Sequence, residues 1–411
     1  MLCLTLLMTG LTECKFSAAG DWPQILGPAR NGISTGESVA KDWPGKLTER
    51  WSIAVGQGYA GVAVAQNVVY LYERVQNQEI LRTLDTATAR EIWRAEYATR
   101  YQSTIAPDNG PRCVPVVTDD KVIILGAGGY LRCLMRKSGE LMWEKSLATE
   151  FKAPEGYFGF GSTPLVWRDR VIVNVGGAGN AGVVAFALED GKVLWQAGPE
   201  QASYSSPILV DVGGQPRVVC VTRLNCLLLD PTEGKILSKI PFGQRGPTVN
   251  GANPVTVDER LFLTASYGIG AKWITLAGDQ LTETWANDDT LSSQYTTSIA
   301  HRGLLYGIHG RQDVGVAELR CIDPARPGVV WGVSNFGTAN LILAGDLLIA
   351  VTTDGQVVLF EPAGEKSREL ARTRPFGDAR VTVQALPALA GGALYVRSEN
   401  ELKCLELPTG K

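Results

Sequence analysis

A short phrase that runs through a tight turn and ends in Trp recurs along the chain: LRTLDTATAREIW to Trp93, LRCLMRKSGELMW to Trp143, VVAFALEDGKVLW to Trp195, WITLAGDQLTETW to Trp285 and LRCIDPARPGVVW to Trp331. Degenerate copies are CLLLDPTEGKILS, with Ser238 in the Trp position, and VVLFEPAGEKSREL around Phe360. Each copy reads as a strand, a turn built on Asp, Gly or Pro, and a second strand ending in the aromatic. A second phrase precedes each one: a small residue, alternating apolar residues, a turn and a β-branched run, as in VPVVTDDKVIIL and TPLVWRDRVIVN. Its first position is held in turn by Val62, Pro115, Pro164, Pro207, Pro254, Ser298, Leu341 and Pro387.

Two hairpins per unit, in eight units spaced roughly 40–50 residues apart, predict an all-β fold: an eight-bladed β-propeller of four-stranded antiparallel blades. Alternation by twos runs throughout, whereas helical i, i+3, i+4, i+7 spacing is not sustained. The final unit, LKCLELPTGK, ends before its Trp-bearing strand, while KLTERW, ending at Trp51, belongs to no complete unit. The N-terminal strand is therefore expected to complete the last blade and close the ring, removing two sheet edges. The expected organisation is a signal peptide over residues 1–19, a lead-in over 20–45 and one propeller over 46–411.

The apolar run Leu2–Leu11 followed by Ser17-Ala18-Ala19 reads as an export signal cleaved after about Ala19, which places the chain in the periplasm or outside the cell. Glu13 stands where a lipid-attachment motif needs a small residue, so anchoring at Cys14 is not expected. No later segment approaches ~20 uninterrupted apolar residues, so no transmembrane span is expected. The 39 Lys and Arg against 42 Asp and Glu, without runs of either sign, leave no electrostatic footprint for nucleic acid or an anionic membrane surface. A monomer is expected.

Several motifs resolve into architecture. Gly177-Ala178-Gly179-Asn180-Ala181-Gly182 matches G-x-G-x-x-G, but strands flank it on both sides, so it reads as a hairpin loop and not as a pyrophosphate site. His301 and His309, the two histidines of the chain, lack neighbouring ligands at metal spacing and read as loop or strand-end residues. Cys133, Cys321 and Cys404 occupy one equivalent core position in three blades. Cys220 and Cys226 are expected to face each other across a hairpin without forming a disulfide.

Candidate function falls where the innermost strands begin, around the mouth of the central channel. The residues just before each first strand are Tyr59, Arg112, Phe160, Tyr204, Asn250, Tyr295, Asn340 and Gln384, with Tyr157, Phe158 and Arg245 nearby. Aromatics with Arg, Asn and Gln suit a planar organic ligand or a peptide partner. The candidate ligand-contacting set is Arg112, Phe160, Tyr204, Arg245 and Tyr295, with no catalytic residue and no metal ligand assigned.

The phrase LRCLMRKSGELMW and its copies resemble the pyrroloquinoline-quinone-like (PQQ-like) propeller repeat, in which Gly makes the turn and Trp docks between blades. Gly139, Gly191 and Gly234 match the turn, the five Trp match the docking position, and the resemblance covers Trp51 to Lys411. DWPQILGPARNGIS, from Asp21 to Ser34, resembles the lead-in of secreted planctomycete-type PQQ-like propellers. The resemblance implies two functional classes. Quinoprotein dehydrogenases hold the quinone with calcium in the channel mouth, usually under a vicinal Cys-Cys disulfide, whereas BamB-type lipoproteins of outer-membrane protein assembly use the propeller without a cofactor. This chain has neither a Cys-Cys pair nor a haem-attaching C-x-x-C-H. The expectation is an exported, non-catalytic, cofactor-free binding or scaffold module for a protein or a small organic or glycan ligand; the alternative is a PQQ- and calcium-dependent alcohol or sugar dehydrogenase.

Overall fold

The computed structural model describes residues 20–362 and 364–410; the leader and Cys14 lie outside them. The described residues form eight four-stranded antiparallel sheets. Blade 1 runs Ala63–Ala65, Val68–Val75, Gln78–Asp85 and Glu91–Ala98, and blades 2 to 7 repeat that order from inner strands beginning at Val116, Leu165, Ile208, Val255, Ile299 and Ala339. Blade 8 takes Ala388–Ala390, Ala393–Arg397 and Glu401–Glu406 from the end of the chain and its outer strand, Thr48–Ala54, from the beginning. In that pairing Trp51 lies opposite Cys404.

The repeated Trp and Gly interlock neighbouring blades. Trp93 Nε1 donates to Arg136 O at 3.1 Å, Trp143 to Leu188 O at 3.0 Å, Trp195 to Pro231 O at 3.0 Å and Trp285 to Pro324 O at 2.8 Å. Each acceptor lies in the turn of the next blade, and in blades 2, 3 and 4 the turn Gly packs on the same indole: a Cβ on Gly139 would lie 2.5 Å from Trp93, and one on Gly234 2.4 Å from Trp195. Trp51 closes the series by donating to Thr86 O in blade 1 at 2.8 Å. Where Ser238 replaces Trp, its Oγ accepts the Leu281 N–H of the following blade at 3.1 Å.

Residues 20–45 do more than lead into the last blade. Trp22, 1% exposed, exchanges backbone hydrogen bonds with Val64 of blade 1, and Pro23 O accepts the Val117 N–H of blade 2. Arg30 then donates to Thr163 O and Pro164 O, both at 2.9 Å, at the start of blade 3. Two residues later Gly32 O accepts the Leu343 N–H of blade 7 at 2.9 Å. Blades 3 and 7 are four apart in a ring of eight, so this short stretch crosses the channel diameter and plugs it at the end opposite the mouth.

The six described cysteines are free and buried. Cys220 and Cys226 do not face each other: Cys226 pairs with Val221, and Cys220 with Leu227. Successive strand residues point to opposite faces, so the two thiols enter different core layers. Gly177–Gly182 lies in the hairpin between Arg170–Asn174 and Val183–Ala187. Among the described residues no helix is long and apolar enough to cross a membrane.

Candidate functional site at the channel mouth

The channel opens where the inner strands begin, into a cavity of about 410 Å³ whose lining includes Ile25 of the plug. The plug therefore makes this cavity a blind cup. Of the sequence candidates, Tyr59, Arg112, Phe158, Tyr204, Tyr295, Asn340 and Gln384 line it. Tyr59, Arg112, Tyr204, Tyr295 and Gln384 come together because each lies three residues before the first position of its repeat, while Asn340 lies within the inner strand of blade 7 and Phe158 comes from the loop before blade 3.

The guanidinium of Arg112 is already occupied. It forms an ion pair with Asp108 and donates to Gly110 O at 3.0 Å and Phe158 O at 3.2 Å. Its plane lies 4.5 Å from the centroid of the Tyr59 ring. Asp108 in turn accepts the Gly58 and Gly110 backbone N–H groups. Tyr204 accepts the Phe158 N–H at 2.7 Å, and its ring meets Phe158 edge-on. Burial pushes its phenol up to about 12.

Across the mouth, Tyr295 Oη lies 2.7 Å from Gln312 Oε1 and 3.0 Å from Gln384 Oε1, while Gln384 Nε2 donates to Gln312 Oε1 at 3.0 Å. This network ties blade 6 to blade 8 over the cup. Burial raises the Tyr295 phenol far above its ordinary value, so it stays a neutral donor.

Four candidates, Phe160, Asn250, Arg245 and Tyr157, lie elsewhere. Phe160 is a core residue, packed over Gly129 and 6% exposed. Asn250 is buried, its amide donating to Thr222 O at 3.1 Å. Arg245 is exposed on a groove with Tyr157 and Glu200, outside the cup. Residues not anticipated from sequence complete the cup, notably Tyr267, Gln294, Gln312, Asn253 and Ile25. Asn253 is the one a repeat argument reaches, since it immediately precedes Pro254. The others come from loops and the plug, where no periodic signal operates.

Chemically the cup is tyrosine, amide and hydrocarbon, with its one guanidinium paired internally. Among the described residues no three His, Cys, Asp or Glu gather to hold a metal ion. Nor do the histidines form a nucleophile triad. His309 Nδ1 accepts the Ser292 N–H at 3.0 Å, whereas Ser292 Oγ turns to Asp288.

Eight four-stranded blades, with Trp indoles locking most neighbours together, around a mouth of this kind define a PQQ-like repeat propeller. The family model described as outer membrane protein assembly factor BamB matches residues 42–150 and 76–333, and the chain belongs to that family. It is 29% identical over 318 residues to the outer membrane protein assembly factor BamB of Yersinia pestis, covering 70% of this chain and 72% of that protein. The structure of BamB from Moraxella catarrhalis superposes with a TM-score of 0.64 at 15% identity, covering 89% of this chain and 99% of the other. The quinohemoprotein alcohol dehydrogenase of Comamonas testosteroni gives 0.53 at 14% identity, covering 96% and 82%. At such identities these two likenesses are of fold.

Proposed function

We propose that this chain is a non-catalytic binding module that seats a protein partner on its channel-mouth face, in the outer-membrane protein assembly role its family description names. On this reading it is exported, works outside the cytoplasm as a monomer and needs no cofactor. The observation that carries the proposal is the state of Arg112. A planar acidic quinone needs cationic donors in the mouth, yet the guanidinium there is bound to Asp108, to backbone carbonyls and against Tyr59. Consistent with this, among the described residues no three His, Cys, Asp or Glu gather where a metal ion could accompany the quinone. What remains is a concave surface of tyrosine, amide and apolar groups, the composition that peptide surfaces dock against. Function outside the cytoplasm also fits the leader sequence, whose small residues at Ser17-Ala18-Ala19 support export.

The test against the dehydrogenase reading is a titration of the purified chain with the quinone and calcium, followed by dye-linked oxidation of alcohols and sugars. No binding at high micromolar quinone and no turnover is the expected outcome. Tight binding with turnover would overturn the proposal.

A further inference from the structure

Beside the cup, and separate from the partner-docking reading, a second cavity of about 320 Å³ opens between blades 2, 3 and 4. That volume lies in the range of small-molecule sites. Leu125, Phe160 and Val249 supply apolar wall, and Asn174 and Asn250 also line it. These two are 2% and 1% exposed. Their amides cannot be reversed, because the NH₂ of Asn174 donates to Val221 O at 3.0 Å and that of Asn250 to Thr222 O at 3.1 Å. Both Oδ1 atoms are left buried without a hydrogen-bond partner. Native proteins pair nearly all such acceptors, so two in one cavity point to a missing donor.

Arg223 adds a charge at the same place. Its guanidinium donates to Thr248 Oγ1 at 2.8 Å and Gly246 O at 2.6 Å. Among the described residues it forms no ion pair with a carboxylate, and a guanidinium has five N–H donors to offer. Glu155, exposed, also lines the cavity and disfavours any ligand bearing more than one negative charge.

We propose that this cavity binds a small monocarboxylate carrying its own N–H or O–H donor. The carboxylate pairs with Arg223, and the donor meets the amide oxygen of Asn174 or Asn250. A 2-hydroxy acid and an N-acylated amino acid share this chemistry.

Calorimetric titration of the whole chain with N-acetyl-L-leucine, 2-hydroxy-4-methylpentanoate and 4-methylpentanoate tests it and separates the two sources. At least one of the first two is expected to bind, and the third, lacking a donor, about tenfold more weakly or worse. Arg223→Gln, at a half-exposed position, is expected to abolish binding while retaining the far-UV spectrum and melting transition of the native chain. Failure of both donor-bearing acids to bind at about 10 mM, equal affinity for all three, or undiminished binding by R223Q would overturn the proposal.

Discussion

At Gly191 the backbone adopts φ 69°, and an added Cβ would lie 2.8 Å from the Trp143 indole. At Gly213 φ is 61°, but the space around it is open. Gly191→Ala therefore combines left-handed strain with a clash at a blade interface, whereas Gly213→Ala incurs the strain alone. The expected losses are about 2–4 kcal/mol and about 1 kcal/mol, read from urea unfolding midpoints. His309 gives a pH dependence. Burial and the nearby Arg320 hold its imidazole below the ordinary value, against Glu318, Asp288 and Asp289. The unfolded chain therefore takes up this proton first, so the contribution of His309 is full above about pH 6.5 and is lost as pH falls through the depressed folded value. Melting temperatures of the native chain and His309→Asn at pH 8 and pH 5.5 should converge toward the acid side. A gap that widens there would refute the sign. The Trp and Gly roles were legible in the sequence because repetition displays them several times over. The fate of Arg112 was not, because its pairing with Asp108 depends on how one non-repeating loop folds back.

At the scale of elements, three independent ties close the ring where the N-terminal part of the chain meets blade 8. The outer strand Thr48–Ala54 pairs with Glu401–Glu406. Arg397, buried, donates to Ala60 O at 2.7 Å and Tyr72 O at 3.0 Å. The lead-in adds hydrogen bonds from Gly391 to Gly20 O and from Ala40 to Pro408 O. Deleting residues 46–51 leaves an unpaired edge and removes Trp51 from its contact with Thr86, so the shortened chain should aggregate or lose a cooperative transition. A truncated chain that stays monomeric and unfolds in one step would contradict the role given to this strand. The strand exchange was legible because a copy was incomplete at one end and a fragment left over at the other. The plug was not: a single passage has no second copy to compare with, and nothing in Arg30 marks it as buried. Its guanidinium, with burial lowering it to about 9, remains charged at neutral pH and is held by carbonyls and Gln24.

For the whole molecule, the eightfold repeat fixes a ring, and the ring fixes a mouth, but neither fixes what the mouth does. The same frame is shared with a quinohemoprotein dehydrogenase fold. What this chain builds at its mouth is local: a paired Arg112, a Tyr295–Gln312–Gln384 network over the opening, and a floor supplied by the plug. Those features support a docking face in place of a reaction chamber, and the most direct test asks what touches that face in the cell. A photo-crosslinking residue placed at Tyr267 or Gln294, which line the cup, should capture a discrete polypeptide in the native cell envelope, while the same residue at Val330, exposed on an outer strand, should not. Capture from Val330 with none from either mouth position would contradict the account.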